Sequence, residues 1–244
     1  MATNEREKQN VDPAESESFD RLASRWWDPE GEFRPLHDLN GPRAEWIAER
    51  ASLEGCAVAD IGCGGGLLAE ALARRGARVT GIDMARKALA VARLHQVESG
   101  LEIDYRETTA EALAGESSST FDVVCCLEML EHVPDPASVV SAAVEMTRPG
   151  GQLFFSTIRR SPLAWAVAIV GAEYVLNLLP RGTHRYDRLI NPSELAGFVR
   201  AAGAEVLEIA GMDYNPFSRT VRIGGKPRVN YLLHARAPDR SDAS

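Results

Sequence analysis

The chain has 244 residues, 45% of them hydrophobic and 25% charged, with a mean hydropathy of −0.19. That is an ordinary globular composition, long enough for one large domain with a full core. A net charge of −8 argues against a general nucleic-acid binder, and no nucleic-acid partner is expected. Cys56, Cys63, Cys125 and Cys126 form no C-x-x-C pair, and three of them sit in apolar runs. They read as small core residues in a reducing compartment, not as disulfides or a zinc site.

In chain order, the polar, charged start has no apolar signal segment, so a cytoplasmic protein is expected with residues 1–18 disordered. Ser18–Asp28 then places Phe19, Leu22, Ala23, Trp26 and Trp27 near helical spacing. The paired tryptophans read as packing residues, or as a cap over a ligand pocket. Pro29, Pro35 and Pro42 mark the next stretch as irregular. A helix is expected to begin at Arg43, whose guanidinium is either a carboxylate fork or a solvated surface charge.

The segment AVADIGCGGG (Ala57–Gly66) is a buried strand that breaks into glycines, and LLAEALARRG continues it as an amphipathic helix. Strand, glycine turn and helix open a nucleotide-binding α/β unit, because a chain without Cβ atoms lets a ligand approach the backbone. The glycines run G-x-G-G-G with Asp60 two residues before Gly62. A dinucleotide fingerprint is G-x-G-x-x-G, and an acid at Asp60 would repel a pyrophosphate; it suits a sulfonium or an α-ammonium group. Asp83 follows about twenty residues on, at the end of a second strand, where it can accept from ribose hydroxyls. These features point to S-adenosylmethionine.

Strands are expected at Ala57–Cys63, Arg78–Asp83, Glu102–Arg106, Phe121–Leu127 and Gln152–Ile158. Helices are expected at Gly66–Arg75, Met84–Ser99 and Pro136–Thr147, the last closed by Arg148-Pro149-Gly150-Gly151. This alternation implies a parallel sheet with helices on both faces and a ligand at the carboxyl ends of its strands. LEMLEH (Leu127–His132) stands at such an end. Its Glu128, Glu131 and His132 suit Mg²⁺ or another divalent cation, or a general base at His132; the bland alternative is a helix cap.

Leu163–Leu179 is apolar almost throughout but short for a bilayer span, and Glu173 would be costly inside one. It reads as a buried core helix or as a lid meeting an anionic lipid surface, with Arg159, Arg160, Arg181, Arg185 and Arg188 flanking it. A helix over Asn191–Ala202 and two antiparallel strands, Ala204–Ala210 and Val229–Ala237, complete the chain before a frayed tail at 239–244.

Taken together, ASRWWDPEGEFRPLH, DIGCGGGLLAE, GIDM, EMLEHVPDP, RPGGQLFFST, VGAEYVLNLLP-x-GTH, YNP and VNYLLH resemble the class I S-adenosylmethionine-dependent methyltransferases. The resemblance is closer still to the bacterial O-methyltransferases of ubiquinone biosynthesis. It implies a Rossmann-like α/β domain over 19–238, with a seven-stranded, mostly parallel sheet and an antiparallel last strand. It implies a cofactor held by Arg43, Gly62, Asp83 and Leu127, with Asp60, Gly64 and the Met84 of GIDM in the same site. Related enzymes place a divalent ion at the positions of Glu128, Glu131 and His132. The expected reaction is methylation of ring hydroxyls on a 2-polyprenyl-6-hydroxyphenol and on 3-demethylubiquinol. The expected partners are that lipid, an anionic inner-membrane surface met through 159–190, and a ubiquinone-biosynthesis complex.

Overall fold

A computed structural model describes residues 10–164 and 186–239. Eight strands form one sheet in the order β3-β2-β1-β4-β5-β8-β6-β7. The parallel part comprises β1 (Ala57–Ile61), β2 (Arg78–Asp83), β3 (Asp104–Glu107), β4 (Phe121–Leu127) and β5 (Thr147–Ile158). β6 (Glu205–Asn215), β7 (Thr220–Ile223) and β8 (Asn230–Arg236) complete it. β8 is antiparallel to both β5 and β6, so β6 points the same way as β5.

The central strands are covered on both faces, which is why β1 and β4 are mainly apolar and not alternating. Ala59, Ile61, Val124 and Cys126 face one core, with α5 (Ala110–Glu116), α6 (Pro136–Met146) and α8 (Pro192–Ala201). Val58, Val123 and Cys125 face the other, with α2 (Arg34–Ala48), α3 (Leu67–Ala73) and α4 (Arg86–Ser99). Three of the four cysteines are buried in these layers and none is bonded to another.

β7 lies inside the stretch read as a polar connector, so the sheet has eight strands where seven were expected. α5 was not foreseen at all; Thr109 caps it by accepting from the Ala112 N–H at 3.2 Å. The RPGG segment is no helix stop: α6 ends at Met146 and β5 already runs through it. Pro35 occupies the first turn of α2, where a missing N–H costs nothing, and the helix runs through Pro42. Arg43 therefore lies well inside a helix instead of starting one.

Helix α1 (Pro13–Leu22) begins within the residues expected to be disordered. Asp12 caps it by accepting from the Ala14 N–H at 3.0 Å. A 3-10 turn, Ala23–Arg25, follows. Of the expected apolar helix Leu163–Leu179, only the short turn α7 (Pro162–Ala164) is described; the rest lies outside the described residues. Among the described residues no helix is long and apolar enough to cross a membrane.

Candidate active site

The bend after β1 is fastened to the end of β2. The N–H groups of Gly62 and Cys63 donate to the Ile82 carbonyl at 2.8 and 3.0 Å. Gly62 and Gly64 have φ of +74° and +51°, a region that disfavours side chains. Space is equally demanding. A Cβ on Gly64 would stand 2.1 Å from the Trp26 ring, and one on Gly62 would stand 2.5 Å from Met129. Protein atoms therefore use the room these glycines leave. Trp26 roofs the bend and stacks on Phe33 at 4.1 Å. Trp27 donates from Nε1 to the Gly65 carbonyl at 2.9 Å and stacks on His95. Trp26 thus packs and lines the cavity, while Trp27 packs against the glycine bend.

Beneath this roof is a cavity of about 180 Å³ at the carboxyl edge of the sheet. Arg43, Asp60, Gly62 and Gly64 line it, as do Asp83, Met84 and Leu127. Every residue singled out for the cofactor is thereby brought to one place. Glu128 and His132 also line it, whereas Glu131 does not. The wall includes two groups the sequence reading missed. One is the start of α1, with Asp12 and Glu15; the other is the loop after β3 with the first turn of α5, Thr108–Glu111. Both carried a signal. Asp12-Pro13 is a helix-start pair, and the end of a third parallel strand belongs at a ligand crevice.

The site is acidic at its floor. Asp60 is buried, and its Oδ2 has no hydrogen-bond partner among the described residues. Burial, and then the charge of Asp83, raise its pKa to about 7. Asp83 accepts from the Gly64 N–H through Oδ2 and from the Ala85 N–H through Oδ1, each at 2.8 Å. Burial pushes its carboxyl upward while these N–H groups pull it back. The acid expected to meet ribose hydroxyls therefore also ties the glycine bend to the end of β2.

Arg43 is no surface residue, being only 5% exposed. Its Nη2 donates to Glu128 Oε1 at 2.6 Å, and its Nε has no hydrogen-bond partner among the described residues. Burial lowers its pKa, and the charges of Glu128 and Glu131 oppose that shift. Glu128 has φ of +53°, a strain of about 1 kcal/mol for a residue other than glycine. Its carboxylate also accepts from Ser156 Oγ at 2.8 Å and from Asn230 Nδ2 at 3.2 Å.

His132 closes a 3-10 turn, Leu130–His132, and its Nδ1 meets Glu15 Oε2 at 3.2 Å. Burial alone would lower its pKa, but the hydrogen bond to Glu15 and the charges of Glu131, Glu15 and Glu128 raise it overall. Phe19 packs edge-on against the ring at 5.3 Å. Glu131 is buried behind the cavity and accepts from Thr157 Oγ1 at 2.7 Å.

Two carboxylates and an imidazole are a donor set suited to a hard divalent cation. As placed, each side chain instead has a protein partner. Among the described residues, no three His, Cys, Asp or Glu side chains stand in an arrangement that holds a metal.

Comparison with known proteins matches this architecture. A family profile described as a methyltransferase domain matches residues 59–155, which run from β1 into β5. The magnesium protoporphyrin IX methyltransferase of Synechocystis PCC 6803, solved with bound SAH, superposes with a TM-score of 0.67. It is 19% identical and covers 91% of this chain and 95% of its own; at that identity the likeness shows the fold. Fold, glycine bend and acidic cavity together define a class I S-adenosylmethionine-dependent methyltransferase.

The sequence relatives are much nearer. The ubiquinone biosynthesis O-methyltransferase of Pseudomonas entomophila is 58% identical over 92% of this chain and 97% of its own. That of Ralstonia nicotianae is 55% identical over 94% and 97%. The chain belongs to the ubiquinone biosynthesis O-methyltransferase family.

Proposed function

We propose that this protein transfers the methyl group of S-adenosylmethionine to ring hydroxyls of 2-polyprenyl-6-hydroxyphenol and 3-demethylubiquinol. The observation that carries the reading is the coincidence of 58% identity to a ubiquinone biosynthesis O-methyltransferase over 92% of the chain with an acid-floored cavity at the carboxyl edge of the sheet. The sulfonium is already an activated methyl donor, so much of the rate comes from holding phenol oxygen and methyl carbon in line. In this reading Asp60 faces the positive charge of the donor. Asp83 takes the ribose hydroxyls, and Leu127 and Met84 flank the adenosyl group. Arg43 offers its unpartnered Nε to the methionine carboxylate.

The acceptor must lose a proton as it is methylated. His132 takes that proton, and Glu15, bonded to Nδ1, keeps the ring in place. Trp26 and α1 exclude water from the reacting atoms. To hold a divalent cation such as Mg²⁺, Glu128, Glu131 and His132 would have to leave their protein partners, and the ion would then stabilise the phenolate charge in place of proton transfer to His132. Methyl transfer to a demethylated quinol, followed by mass spectrometry, tests the function and the ion together. Product is expected with S-adenosylmethionine; if the ion is required, turnover is lost in EDTA and recovered with Mg²⁺. Turnover unchanged by chelator would reject the ion and leave His132 as the sole proton acceptor; no product at all would reject the function.

The greasy acceptor is met at the inner-membrane surface, peripherally, through the apolar segment within 159–190 and its arginine flanks. Other enzymes of the pathway are the expected neighbours there. The support is compositional: an apolar run bracketed by cations in an otherwise acidic chain.

A further inference from the structure

We propose a second membrane contact, formed by the β6–β7 hairpin and the loop after it, which docks on anionic lipid headgroups beside the contact assigned to 159–190. The inference rests on that membrane reading and adds a surface to it.

Phe217 is 85% exposed, more than any other large apolar side chain described. It is held out by construction. Asn215 Oδ1 accepts from the Phe217 and Ser218 N–H groups at 2.9 and 3.2 Å, which closes the turn. Arg219, bonded to Asp38 at 2.8 Å and to Glu30 at 2.5 Å, pins the hairpin to the start of α2. A large aromatic presented on a braced turn is costly in water and favourable at a lipid interface.

Charge completes the surface. Residues 211–229 carry Arg219, Arg222, Lys226 and Arg228 against the single acid Asp213, in a chain of net −8. Arg222, Lys226 and Arg228 are exposed. Such local cations decide attraction to an anionic surface, because screening confines electrostatics to about 10 Å.

Topology sets the direction. β6 runs with β5, so the hairpin leaves the sheet at the edge where the cavity opens. The register Met212↔Asn230↔Ile158 places the tip, five residues on, beyond that edge. The 224–229 loop is tied to the root of the apolar segment: Arg159 donates from its backbone N–H to the Val229 carbonyl at 2.7 Å and from Nη1 to the Pro227 carbonyl at 2.8 Å. The loop and the root of that segment at Arg159 are therefore joined directly.

The test is flotation of the full chain with phosphatidylglycerol-containing vesicles and with phosphatidylcholine vesicles. Phe217→Ser and the pair Lys226→Glu, Arg228→Glu are expected to weaken binding to the anionic vesicles, by roughly fivefold or more for each cation removed. A charge-matched control at the opposite edge of the sheet, Arg78→Glu with Arg236→Glu, is expected to bind like the unaltered protein. Methylation of a water-soluble short-chain quinol should be unchanged in all of them, which shows that they fold. Variants that bind like the unaltered protein would overturn the inference while leaving the 159–190 contact standing. An equal loss in the control pair would also overturn it, by tracing the effect to total charge. An unaltered protein that binds no vesicle would remove the membrane reading itself and this inference with it.

Discussion

Asp60→Asn is expected to make the ligand-free protein more stable and, at the same time, to destroy its hold on the methyl donor. Burial raises the pKa of this carboxyl from 3.8 to about 7. In the unfolded chain the group ionises near 3.8, and in the folded chain only near 7. The folded state therefore binds the extra proton between those values, and stability is lost as pH rises through that window. Above it the full cost applies, about 4 kcal/mol. The isosteric amide carries no charge, so its gain should be absent below pH 4 and complete at pH 8. At this chain length the gain corresponds to a rise in Tm on the order of 10 °C. Calorimetry at pH 8 should show S-adenosylmethionine affinity falling at least tenfold in the same variant. A residue kept at a cost to the fold is what a binding role requires. Parallel loss of stability and binding would instead make Asp60 a structural residue.

His132→Gln is expected to lower kcat by roughly 10²–10⁴-fold, with donor affinity changed little. The imidazole lines the cavity but lies off the bend that carries the cofactor residues. Its loss should therefore fall on the chemical step and not on donor binding. Glu15→Gln should reproduce a smaller part of that loss, since it leaves the ring present but weakens its hold at Nδ1. Steady-state kinetics with a short-chain demethylated quinol, alongside calorimetry with S-adenosylhomocysteine, separates the two effects. Full activity in His132→Gln would remove this residue from the reaction.

The parts of the molecule that were legible in the sequence are those where local pattern and global burial agree. β2 and β4 have the bounds expected of them, because both are interior strands covered on two faces. The glycine bend and Asp83 were legible because backbone conformation and close approach restrict residue choice there. The stretch before β1 was not. Pro35 and Pro42 read as breakers, yet Pro35 sits in the first turn of α2, where its fixed φ favours a helix. Pro42 is tolerated because Leu39, Trp46 and Ile47 bury the same helix in the core. Nor does any local spacing reveal that Arg43 meets Glu128, 85 residues away, or that Glu15 reaches His132 across 117 residues. These pairs exist only once the sheet has gathered its carboxyl ends and α1 has closed over them.

The central claim is that the cavity beneath Trp26 holds the methyl donor. Calorimetric titration of the purified protein with S-adenosylhomocysteine, with NAD as the competitor class, tests it most directly. Saturable one-site binding of S-adenosylhomocysteine, lost in Asp60→Asn and absent for NAD, is the result expected. Binding of NAD, or no uptake of S-adenosylhomocysteine at millimolar concentration, would contradict it.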